Sequence, residues 1–162
     1  ASQFARLIRA IMLFDTSGLP DSAVISAGVL SLYGGSKQDG LVATPDINIY
    51  ASTPASNTAL ASADYGQTQT VAFATAITYA GWSTTGYNDF TLNASGIAAI
   101  SKAGVSKFST RNANYDVAAS APAWVINEIS ALSAYASEQG AGFKPKLVVT
   151  YTVPTGGFFG FM

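Results

Sequence analysis

The chain has 162 residues, 49% of them apolar and only 10% charged, with a formal net charge of −1 and neither cysteine nor histidine. That length suits one domain with a sizeable core, and the apolar fraction excludes a disordered chain. The balanced charge without a basic run gives no basis for binding nucleic acid, and the missing residue types exclude disulfides, thiol chemistry and imidazole catalysis.

Residues 6–14 read as the first strand, with Ala10, Met12 and Phe14 on one face and Arg9, Ile11 and Leu13 on the other. Both faces are largely apolar, which predicts a mid-sheet position. A turn cluster at residues 15–21 separates it from a second strand, 24–33, on which Gly28, Leu30 and Leu32 share a face. Gly34-Gly35-Ser36 then opens a polar loop to about Gly40. Residues 47–50 alternate as a half-buried strand, 69–74 form a weaker one, and 77–82 are ambiguous. Strand 87–92 is followed at 95–102 by one or two helical turns carrying Ile97 and Ile100. Further strands are expected at 105–111 and 131–136. Leu147 to Val153 lies between two prolines and reads as a buried closing strand. Short strands punctuated by Gly, Ser, Asn and Pro predict an all-β antiparallel sandwich with one short helix. The domain spans 1–154, and residues 155–162 form a Gly/Phe-rich tail. No apolar run approaches the ~18 residues of a membrane span. No signal peptide precedes Ala1, so export after cleavage, or by another route such as release of a virus particle by lysis, is expected.

A set of ordered motifs carries a family resemblance. It opens with Arg9-Ala10-Ile11-Met12-Leu13-Phe14-Asp15, Ser17-Gly18-Leu19-Pro20 and the strand through Tyr33. Its middle is Tyr87-Asn88-Asp89-Phe90-Thr91-Leu92-Asn93 with the turn Gly96-Ile97-Ala98-Ala99-Ile100. It closes with Phe108-Ser109-Thr110-Arg111, Tyr115-Asp116, Tyr135-Ala136-Ser137-Glu138 and Lys144-Pro145-Lys146-Leu147-Val148-Val149-Thr150-Tyr151. From Arg9 to Tyr151 the chain resembles the DNRLRE (disaggregatase-related) jelly-roll domains. These are similar to carbohydrate-binding modules and recur in secreted proteins and phage-like structural proteins. The resemblance implies a jelly-roll sandwich in an extracellular, cell-surface or virion setting. Family members usually carry another strand before the opening arginine, and here eight residues precede Arg9. The sandwich is therefore expected either to lack a strand and leave an open edge, or to be cut from a longer chain.

Candidate chemistry is sparse. Asn112, Asn114 and Asp116 form an alternating oxygen-rich triplet, the best site in the chain for a structural calcium, though loop hydrogen bonding is the commoner explanation of such a triplet. No other cofactor is expected. Asp15 is read as bonding its own turn. Trp82, Tyr87, Trp124 and Tyr135 lie near loops or strand ends, where aromatic rings either stack on sugars or pack a core. Arg9 and Arg111, on apolar strands, are expected to pair with acids or to snorkel. Asn93-Ala94-Ser95 fits a glycosylation sequon. Nothing resembles a nucleophile elbow or a phosphate loop, so the chain is expected not to be an enzyme. A metal-assisted polysaccharide hydrolase or lyase is the weakest alternative.

Phe158, Phe159, Phe161 and Met162 sit among glycines in a tail that must bury itself on its own domain or on a neighbour. The expected function is a structural or adhesive surface subunit that self-associates or packs on neighbouring structural subunits through this tail. The alternative is a carbohydrate-binding module gripping a polysaccharide through its loop aromatics.

Overall fold

A computed structural model describes residues 6–154; the tail residues Phe158, Phe159, Phe161 and Met162 lie outside the described residues. The architecture is two antiparallel sheets packed face to face, with one short helix. The strands are β1 (Ala10–Asp15), β2 (Val24–Asp39), β3 (Ile47–Ala51), β4 (Tyr87–Thr91), β5 (Val105–Asn112), β6 (Ser130–Ala134) and β7 (Lys146–Thr152). Helix α1 (Ala94–Ala98) follows β4, and its Asn93 N-cap accepts the Gly96 N–H. One sheet has the order β1-β5-β3. In the other, β4 flanks one side of β2 while β7 and β6 follow each other along its opposite side.

The core lies between the sheets. Leu30 and Leu32 of β2 and Phe90 of β4 meet Ile49 of β3 and Phe108 of β5, with Phe73, Trp82, Leu92 and Ile100 closing the ends. Alternation along β2, β3, β4 and β5 places these side chains inward, as a two-residue period requires.

Several expectations are corrected. β1 is an edge strand and pairs β5 alone among the described residues. On its outer face Ile11 lines a small cleft with Leu60 and Tyr65 of a distant loop, where a second neighbouring strand was expected. β2 runs on through Gly34-Gly35-Ser36 instead of ending in a loop, with a register shift between Gly34 and Ser36. Glycine is needed at 34 because a Cβ there would lie 1.8 Å from the Ser83 carbonyl oxygen. Residues 69–74 form no ladder; single bonds from Gln69 and Phe73 N–H to the Ala51 and Ile49 carbonyls hold them beside β3. Residues 77–82 add one bridge, Ile47 to Ile77, and a turn. β7 is half exposed: Leu147 and Val149 pack on the core, Val148 on the opposite face is exposed, and Tyr151, on the inner face near the strand end, is exposed as well.

Candidate functional site

The ladder phase of β1 fixes which backbone groups it leaves free. Thr16 N–H donates to the Gly104 carbonyl, one step past the Asp15–Val105 pair. In an antiparallel ladder alternate residues bond the partner, so Phe14, Met12 and Ala10 face β5. Ile11 and Leu13 therefore direct N–H and C=O to the other edge, where no described residue pairs with them.

Beside that edge the two sheets stand apart. A groove of about 810 Å³ runs between β1 and β6, and its lining is mostly apolar. Met12 and Phe14 look into it from β1, Leu132 from β6, and Trp124 and Ile129 from the segment that leads into β6. Trp124 is 59% exposed and Ile129 56%, and neighbouring Ile126 reaches 74%. Isolated exposed apolar residues are ordinary; a cluster flanking an apolar groove marks a contact surface.

The start of β1 is held by a buried ion triad. The Asp116 carboxylate accepts from Arg9 Nε at 2.8 Å and Nη2 at 2.6 Å, and from Arg111 Nε at 2.8 Å and Nη2 at 2.7 Å. Burial alone would raise the Asp116 carboxyl, but the two guanidiniums hold it below the usual carboxylate range. Its hydrogen bonds in turn push Arg111 above its ordinary value. Arg9 also donates to the Tyr65 carbonyl and Thr68 Oγ1, with its guanidinium 4.2 Å from the Tyr65 ring centroid. Both arginines thus find the acidic partner expected of them.

The three residues read as calcium ligands are each engaged in hydrogen bonds of the fold. Asn112 Oδ1 accepts the Tyr115 N–H, and Asn114 Oδ1 accepts the Asp46 N–H while its amide donates to the Thr44 carbonyl. Calcium at Asp116 would have to displace two arginines. The described residues contain no group of three or more acidic side chains placed to hold a metal.

The four candidate aromatics fall in three places. Trp82 is 2% exposed in the core, with its indole N–H lacking an acceptor among the described residues, so no sugar ring reaches it in this fold. Trp124 lines the groove. Tyr87 and Tyr135 come together only through Tyr33 and Phe143. Tyr33 stacks on Tyr135 at 5.8 Å between centroids and meets Phe143 edge-on at 4.8 Å and Tyr87 at 5.2 Å. The Tyr87 hydroxyl lies within hydrogen-bonding distance of the Gly142 and Lys144 carbonyls, and Lys146 Nζ sits 3.7 Å from its ring centroid. The cluster ties residues 142–146 to β2 and β4.

Sequence reasoning singled out Trp124 but missed its neighbours. The signal was present in Trp124-Val125-Ile126 and Ile129, apolar residues in a stretch whose Pro122 and Asn127 break any strand. No protein-family model, curated protein or solved structure matches the chain.

Proposed function

We propose that the domain is a non-catalytic structural or adhesive subunit of an extracellular, cell-surface or virion assembly. It resembles a disaggregatase-related jelly-roll module and associates through its apolar tail and the open edge of β1. The observation that carries this reading is the groove beside β1, apolar and continuous with exposed Trp124 and Ile129. Sheet edges accept added strands because their N–H and C=O groups are already aligned for a ladder. Each large apolar side chain fully buried there contributes about 1.5–3 kcal/mol. The sparse charge of the chain lowers the desolvation cost of such contacts.

The roles of the buried or loop-anchoring carboxylates support a non-catalytic role. Asp116 holds two arginines, Asp64 accepts the Ala55 and Ala61 N–H groups, and Asp39 accepts from Ala43, Thr44 and Ser130. Each is committed to the fold.

One observation favours a second reading, a carbohydrate-binding module. Tyr135 and Phe143 present exposed edges of the aromatic cluster, and amphipathic rings of this kind suit sugars. A glycan array separates the two. The structural reading expects no binding above background; glycan binding that disappears with Tyr135→Ala would establish the other.

A further inference from the structure

The groove beside β1 has two properties that together define what fits it. Its rim carries backbone groups of Ile11 and Leu13 that no described residue pairs, so the occupant presents an extended backbone. Its walls, Met12 and Phe14 on one side and Leu132 and Ile129 on the other, require apolar side chains on one face of that strand. Residues 155–162, Thr-Gly-Gly-Phe-Phe-Gly-Phe-Met, meet both conditions. They carry no charged side chain. In an extended conformation Phe159 and Phe161 fall on one face, with Phe158 and Met162 on the other.

Resting on the assembly reading above, we propose that this groove is the acceptor for residues 156–162 of a second copy of the chain. That segment adds as an antiparallel strand to the edge of β1 that no described residue pairs and places Phe159 and Phe161 between Met12 and Leu132. The glycines let the added strand approach a narrow cleft without side chains of their own to accommodate. Phe158 and Met162 then lie on the outer face, beside Ile11 and Leu13.

Reach favours a second copy over the same chain. β7 ends at Thr152, which pairs with Val24 at the start of β2. Leu132 pairs with Lys37, near the other end of that strand. About thirteen residues separate Val24 from Lys37, roughly 43 Å along an extended strand. Phe159 follows Thr152 by seven residues and extends at most about 25 Å from it. The tail of a second copy is under no such limit.

The absence of native cysteine makes the arrangement directly testable. Two single-cysteine variants of the full chain, Leu132→Cys and a mass-tagged Phe159→Cys, are mixed and mildly oxidised. Disulfides form only where Cα atoms come within about 7 Å, so the mixed species reports tail-in-groove contact between chains. The mixed disulfide should exceed that of a Ser95→Cys control on α1 by about tenfold or more, as docking raises the effective concentration. Leu13→Pro provides the second arm, since it removes an N–H that points away from β5. The variant should keep the far-ultraviolet dichroism of the parent and lose the excess cross-link.

A mixed disulfide at the control level in a chain that still oligomerises would overturn the groove assignment and leave tail-mediated assembly standing. So would a cross-link insensitive to Leu13→Pro, because the strand would not be added at β1. An intrachain disulfide in the monomeric Leu132→Cys/Phe159→Cys double variant would show the tail docking on its own domain. A chain that stays monomeric throughout would overturn both readings.

Discussion

Asp116 gathers the most concentrated interaction in the molecule. Its two oxygens accept four charge-assisted hydrogen bonds, and its side chain is 2% exposed. A carboxylate so placed joins three segments: the approach to β1 through Arg9, the end of β5 through Arg111, and the loop that carries Asp116 itself. Removing it by Asp116→Ala would leave two guanidiniums buried without their partner, which costs about 3–5 kcal/mol. Arg9→Met, which leaves the Arg111 pair intact, should cost clearly less. Urea unfolding of the variants measures both. The pH dependence has a definite sign. The folded-state carboxyl titrates below the usual value, so its contribution is fully present above the unfolded pKa of about 3.9 and is lost as pH falls through the lower folded value. Asp39 and Asp64, also held low by hydrogen bonds despite the opposing effect of burial, lose stability over the same acid range. Unfolding free energy should therefore fall below about pH 4, and less steeply in Asp116→Asn. Equal slopes for parent and variant would show that Asp116 is not the titrating anchor.

At the scale of elements, β2 organises the second sheet. Its first half pairs β4 and β7, and its second half pairs β6 across a bulge at Gly34–Ser36. Gly34 also donates its N–H to the Gly86 carbonyl, where the turn before β4 closes on the strand. Gly34→Ala would drive a methyl into the Ser83 carbonyl, and a clash with backbone cannot be relieved by a rotamer change. A loss of about 3 kcal/mol or more, at the upper end for overpacking, is expected in chemical unfolding. This position illustrates what could be read beforehand. The apolar alternation of β3 and β5, the short helical turn after β4 and the closing strand were all visible, because each follows from its own residues. Gly34-Gly35 looked like a loop because a glycine required by an approaching turn is indistinguishable in sequence from one required by a bend. β1 looked central because both of its faces are largely apolar, and no local pattern distinguishes an apolar edge strand from a central one. In β4 the inward residues are Asn88 and Phe90, and the buried Asn88 side chain is satisfied by the Ser83 backbone.

The candidate site was legible only in fragments. Trp124 stood out, yet the groove it lines is assembled from β1, β6 and the segment between residues 122 and 129, which are distant in sequence. An edge is a property of topology, so it emerges only when every strand has been given its neighbours. Two features then bear on each other: a strand edge and apolar cleft left open by the described residues, and an uncharged phenylalanine-rich segment beyond Pro154. Their union would bury the exposed Trp124 and Ile129 in a single contact. Light scattering on the full chain and on the chain lacking residues 156–162 tests this most directly. The full chain should have a stable multiple of its 16.7 kDa mass, and the shortened chain should be a folded monomer that unfolds cooperatively at lower apparent stability. A full chain that stays at 16.7 kDa, or an assembly whose mass survives the deletion, would contradict it.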